Sequence, residues 1–381
     1  RAGLIRTVLE YVGREDAIGL GIIEPHPSLL PSRELGRLLA RHSRDHATTA
    51  LSYEVIQGNP ELRRQIAHRS LEAGISARHE DILVTNGAME ALYIALRCIT
   101  RPGDNVLVQS PAYFCFLQLL ENMGLRAIEV ESTPDKGLNP ALVADAVAKY
   151  DVKACIFVPN FANPDGSLTP DEAKREIVRL LEYMDIPLIE DDVSSDIHFD
   201  PKRPGTYKQY DEKGLVMLCS SFSKTVAPGW RIGWMLPGRY LNKAREIKAT
   251  TNVCSATPTQ AAMASFLAEG RLEKQLRTIR TAIERTMDVM QLELNRSFPE
   301  GTRVTHPKGG SVLWVTLPGS VDCVDFFFEA REHGVGIAPG GIFTTRERFT
   351  DCIRLSCCGV WSEELSKGIA TLGDLARRMA R

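Results

Sequence analysis

The sequence predicts an α/β protein in which a large domain, built on a mostly parallel sheet, is followed by a smaller α+β unit. Two observations predict it. From Ile82 onward, short apolar runs alternate with amphipathic helical patterns, the signature of parallel strands joined by crossover helices. Near residue 260 that rhythm stops and a long charged helix takes over. The expected division is an N-terminal arm with part of the small domain at 1–45, a large domain at 46–262 and a small domain at 263–381. A chain of 381 residues is long enough for both cores.

In order, residues 1–12 (RAGLIRTVLEYV) carry apolar side chains at helical spacing and read as a docking helix. Residues 19–31, rich in Gly and Pro, read as extended, and a helix bearing Leu35, Leu38 and Leu39 follows. Tyr53–Ala67 places a turn at Gly58–Pro60 before another helix. The strands expected next are Ile82–Thr85, Asn105–Gln109, Arg126–Val130, Ala154–Val158, Pro187–Ile189 and Leu215–Cys219. In the last third, a helix covers roughly Arg271–Phe298. A strand at Ser311–Leu317, a helix from Cys323, a strand near Cys352–Ser356 and a helix from Ser362 complete the chain.

Composition excludes several classes of function. A net charge of -2 gives no electrostatic grip on nucleic acid or an anionic membrane, and no apolar run is long enough to span one. The nine cysteines are scattered without a C-x-x-C pair, so they read as buried free thiols of a reducing cytoplasm. The first residue is Arg rather than Met, which suggests that something precedes it.

In an open α/β sheet, reactive groups belong at the carboxyl ends of strands. Ser220–Trp234 (SSFSKTVAPGWRIGW) sets Lys224 among hydroxyls after an apolar strand, with Arg231 seven residues on. Desolvation there would suit the lysine amine for Schiff-base chemistry, while Ser221, Ser223 and the Arg231 fork suit a phosphate. Gly87, Ala88 and Met89 open a helix after a strand and offer free N–H groups to an anion, although an ordinary turn explains them equally. Tyr113 can cover a flat ring or simply fill a core. Asn163, in an Asn-Pro turn, can hold an amide toward a phenolic oxygen. Asp191 ends a buried strand, where a lone carboxylate needs a cationic partner such as a protonated ring nitrogen. Arg354, inside the apolar strand CIRLSCC, needs an anion: either a ligand carboxylate or a structural ion pair.

Taken together, SSFSKTVAPGWRIGW, FANPDG and IEDD closely resemble the fold-type-I aminotransferases that use pyridoxal 5′-phosphate (PLP), over nearly the whole chain. The resemblance implies Lys224 as the Schiff-base lysine, Asp191 on the pyridine nitrogen, Asn163 on the ring hydroxyl and Tyr113 over the ring. It implies Gly87, Ala88, Met89, Ser221, Ser223 and Arg231 on the phosphate, Arg354 on the substrate carboxylate, and Tyr53 reaching the phosphate of a neighbouring subunit in a homodimer. SYEVIQGNPELRRQIA, VTNGAMEAL, QSPAYFCFLQ, LIEDDV and GIAPGGIFTT narrow the likeness to the aminotransferase-like half of MocR-type regulators of the GntR family. That implies a domain sensing an amino acid or amine, with DNA bound only through a winged-helix domain outside this chain. The alternative is a free-standing aminotransferase using a 2-oxo acid. Three positions depart from the catalytic pattern: Asp165 for a threonine, Ala88 and Met89 for side-chain donors, and Ser194 for a tyrosine.

Overall fold

The computed structural model describes residues 2–12 and 16–380. Its centre is an eight-stranded sheet: β1 (Leu83–Asn86), β2 (Asn105–Ser110), β3 (Arg126–Thr133), β4 (Gly137–Leu138), β5 (Val152–Phe157), β6 (Leu188–Asp191), β7 (Val216–Ser221) and β8 (Ile232–Leu236). The spatial order is β1-β8-β7-β6-β5-β2-β3-β4. Neighbours from β3 through β2, β5 and β6 to β7 are parallel, whereas β8 runs antiparallel to both β7 and β1. Each of the six expected strands is present to within a few residues.

Strand β8 went unrecognised in the sequence, because IGWML is short and follows the Lys224 turn with only the three-residue 3-10 helix Pro228–Trp230 between. Its reversal has a consequence for the site. The carboxyl ends of β1, β2, β5, β6 and β7 share one edge of the sheet, and an antiparallel β8 begins at that same edge. Arg231, just before β8, is thereby returned beside the end of β7 that carries Lys224. Gly233 permits the close pairing, since a Cβ there would lie 2.5 Å from the Gly87 carbonyl carbon.

A second sheet follows from residue 303: β9 (Arg303–Val304), β10 (Val312–Thr316), β11 (Ala338–Pro339) and β12 (Cys352–Ser356), in the antiparallel order β9-β10-β12-β11. The long helix is Leu272–Ser297, and the last, Glu363–Met379, starts where the Ser362 side chain accepts the Leu365 N–H. The helix expected at 1–12 is Ala2–Val12, Arg1 lying outside the described residues. Ile5, Val8, Tyr11 and Leu20 share a core with the second sheet and the Leu272–Ser297 helix. Ile18–Gly19 also pairs with Val335–Gly336. Leu35 and Leu38, by contrast, pack with Ala262–Leu267 against the large sheet. Residues 21–31 therefore cross between the two cores, over the edge that carries the reactive groups.

Substituting Gly233→Ala should lower stability by about 1–3 kcal/mol, because the added methyl overpacks the β1–β8 backbone contact. Urea unfolding monitored by circular dichroism measures it, and an unchanged midpoint would contradict the close approach.

Candidate active site

One cavity of about 200 Å³ opens at this edge and gathers Tyr113, Asn163, Asp191, Ser194, Lys224 and Arg354. They come from the carboxyl ends of four strands of the large sheet, β2, β5, β6 and β7, or the turns that follow them, and from the middle of β12. In β12, Arg354 is paired across the sheet with Trp314 and Ala338.

Asp191, Lys224 and Arg354 form no ion pair among the described residues. Arg354 is 3 % exposed. Its Nη1 donates to Asn163 Oδ1 at 2.8 Å and its Nη2 to the Gly21 carbonyl at 2.5 Å. Its face covers the Phe343 ring at 5.2 Å, and its buried Nε has no partner. No acidic side chain pairs with it among the described residues, so the structural ion pair that the sequence left open is absent. Burial lowers the guanidinium to about 10.

Asp191, 6 % exposed, accepts the Val193 N–H at 3.1 Å, and burial pushes its carboxyl up to about 7. Lys224 donates from Nζ to the Ile23 carbonyl at 2.6 Å, and burial lowers its amine below the ordinary lysine value. The Gly21–Ile23 strap thus holds both cations through backbone carbonyls.

Alternation along β6 separates the acids of IEDD. Glu190 points away from Asp191 and accepts the N–H groups of Tyr207 and Lys208 at 2.6 and 2.8 Å. Asp192 pairs with Arg203 at 2.5 Å. Only Asp191 reaches the cavity.

The expected anion cradle lies beside it. The helix Ala88–Ile99 starts at Gly87 with no side-chain cap. Arg231 Nη2 rests where a Gly87 Cβ would fall, at 2.1 Å, and Nη1 donates to Ser223 Oγ at 3.0 Å. Ser223 N–H in turn donates to Ser221 Oγ at 3.3 Å. Gly87, Ala88, Met89, Ser221, Ser223 and Arg231 therefore lie around the pairing of β1, β8 and β7. Tyr53 is 86 % exposed on a loop and does not line this chain's cavity. Asp165 is buried away from the cavity, and Ser194 lines it.

The sequence profile described as aminotransferase class I and II matches residues 31–372. The chain belongs to this family. It is 34 % identical over 352 residues to the HTH-type transcriptional regulator YjiR of Escherichia coli, covering 92 % of this chain and 74 % of that protein. It is 28 % identical to aromatic-amino-acid aminotransferase 1 of Thermococcus litoralis, covering 98 % and 91 % of the two chains. The kynurenine aminotransferase of Pyrococcus horikoshii superposes with a TM-score of 0.92 at 28 % identity, over 100 % of this chain and 96 % of that one. The fold is thus that of the fold-type-I aminotransferases, and the chain is an aminotransferase-like domain similar both to HTH-type regulators and to free-standing enzymes.

Around this aminotransferase site stand charge pairs that the sequence reading missed. Arg203 bridges Asp192 and Asp196, and Arg69 closes on Asp196 at 2.7 Å. Lys248 pairs with Glu90 at 2.8 Å, and Glu90 accepts the Asn86 N–H at 2.5 Å just ahead of the cradle. Their members lie 7 to 158 residues apart in sequence, so no local pattern announces them.

Proposed function

We propose that this aminotransferase-like domain binds PLP and an amino acid or amine, and that it is the ligand-sensing and dimerisation domain of a MocR-type regulator. The observation that carries the binding reading is Arg354, a buried guanidinium with an unpartnered Nε and no acidic mate among the described residues. A buried cation of that kind is costly unless an anion arrives, and a ligand carboxylate matches its fork. The residues fit the cofactor as well. Asp191, raised to about 7 by burial, is suited to hold a proton on a ring nitrogen, and the Arg231–Gly87 cradle is shaped for an anion.

When bound, PLP supplies an electron sink for a substrate Cα–H. Lys224, its amine lowered by burial, is the nucleophile toward the carbonyl and the base that receives or returns the Cα proton. Asp191 keeps the ring nitrogen protonated. Asn163, whose oxygen accepts from Arg354, would hold the ring hydroxyl with its amide, and Tyr113 would pack on the ring. The N–H groups of Gly87, Ala88 and Met89, with Ser221, Ser223 and Arg231, hold the phosphate. Tyr53, exposed beside Leu51, Val55 and Ile56, fits a residue lent to the neighbour's phosphate across a homodimer.

Ser194 supports regulation over fast turnover, since serine is too short to reach the ring oxygen without a bridging water. The identities of 34 % and 33 % to two Escherichia coli HTH-type regulators support it too. A free-standing aminotransferase passing an amino group to a 2-oxo acid is the second reading, favoured by the complete lysine, aspartate and arginine set. A reading frame that encodes a winged-helix segment of roughly 70 residues upstream of Arg1 is the outcome expected for a regulator.

Protein loaded with PLP should be yellow, and borohydride should fix the cofactor on the peptide containing Lys224; label on another lysine would overturn the assignment. Arg354→Lys should weaken amino-acid binding by roughly 2–4 kcal/mol through loss of the bidentate pair, with PLP retained. Calorimetric titration measures this, and an unchanged affinity would make the arginine structural.

A further inference from the structure

We propose that the cavity selects an α-amino acid with an apolar side chain, and that Leu9 of the N-terminal helix is a specificity-determining wall. This rests on the amino-acid-binding reading above and adds the side-chain class to it.

The walls that are free to meet a ligand side chain are Val8, Leu9, Ile22, Ile23, Phe161 and Val312. The only charged residues lining the cavity, among those described, are Asp191, Lys224 and Arg354, and each already has a partner in the reading above. A distal carboxylate or ammonium would therefore enter an apolar wall with no counter-charge, and an unpaired buried charge is strongly disfavoured. An aliphatic or aromatic side chain meets no such obstacle and gains from leaving water.

The walls differ in how firmly they are held. Phe161 has a left-handed φ of 53° and its ring lies against Gly309 and Gly310, where a Cβ would come within 2.5 Å and 2.8 Å of its side chain. That wall cannot retreat. Val8 is 2 % exposed and anchors its helix in the core shared with the second sheet. Leu9 is different: it lines the cavity, is 47 % exposed and belongs to none of the apolar cores. It projects from a fixed helix onto the cavity mouth, where its apolar surface stays in water until a ligand side chain covers it. Hydrophobic pockets discriminate by roughly 10–200-fold per methylene-sized change, so a single wall residue can set the ranking of ligands.

The test titrates PLP-loaded protein calorimetrically with L-leucine, L-phenylalanine, L-glutamate and L-aspartate. L-leucine or L-phenylalanine should bind about tenfold or more tightly than either dicarboxylate. Leu9→Arg should cut that ratio by about tenfold or reverse it, with PLP uptake unchanged. If Leu9→Arg does not fold, Leu9→Ala should weaken L-phenylalanine by about tenfold and leave L-glutamate as it was. Wild-type preference for a dicarboxylate, equal binding of both classes, or an unchanged ranking in the Leu9 variants would each overturn the proposal. Failure of the underlying reading looks different, because the protein would then take up no PLP or bind no amino acid of either class.

Discussion

Burial of charge without a counter-charge is the constraint on which the site depends. Several other buried charges of this chain are paired: Asp192 with Arg203, Asp196 with Arg203 and Arg69, Glu90 with Lys248. Breaking such a pair leaves an uncompensated ion and is strongly destabilising. Asp191, Lys224 and Arg354 are exceptions inside one cavity, each held by neutral hydrogen-bond partners. The fold therefore carries a local energetic cost that a bound cofactor and a bound carboxylate would relieve. Three unpaired buried charges gathered in one cavity are the kind of local cost a functional site carries.

The sheet makes that arrangement possible. Parallel strands put the carboxyl ends of β1, β2, β5, β6 and β7 on one edge, and the reversal at β8 returns Arg231 to it. The second sheet then delivers Arg354 from across the cleft. The two parts are fastened by contacts close to the cavity: Phe343 carbonyl accepts the Ala112 N–H at 2.8 Å, and Glu129 accepts the hydroxyls of Ser110 and Thr344 at 2.6 and 2.7 Å. Phe343 also faces Arg354, so the Gly340–Phe343 turn that contacts the large domain supports Arg354 as well. The Gly21–Ile23 strap, tied to both cations, couples the same site to the N-terminal helix.

Much of this was legible in the sequence, for physical reasons that can be named. Apolar strands followed by small or charged residues reveal strand ends, and strand ends in an α/β sheet are where chemistry collects. Lys224, Asp191 and Arg354 were visible as charged residues placed where a core would exclude them and Asn163 as a turn residue past a strand end, and all four meet in the cavity. What stayed hidden depends on pairing across the chain. Strand β8 carries no periodic signature of its own, and only the approach of Gly87 explains Gly233. Glu190, Asp191 and Asp192 are adjacent acids in IEDD, and strand alternation assigns their faces only once the register is known. The role of Val8 and Leu9 at the cavity is equally non-local, since nothing near residue 9 indicates which cleft the helix will flank.

The central claim is that Asp191 is an unsatisfied acid awaiting a cationic partner, and the pH dependence of stability tests it most directly. Its folded pKa of about 7 lies above the unfolded value of 3.8. The sign follows: its contribution is favourable when protonated and is lost as pH rises through that interval, with a slope approaching about 1.4 kcal/mol per unit. Thermal and urea unfolding of the wild type and Asp191→Asn, from pH 4 to pH 8.5 with and without PLP, should show two things. Without PLP the variant should match the wild type near pH 4 and exceed it by on the order of 2–4 kcal/mol at high pH. With PLP that advantage should vanish, because only the carboxylate gains from a protonated ring nitrogen. A variant less stable than the wild type at every pH without cofactor, or an advantage that PLP leaves untouched, would contradict the account.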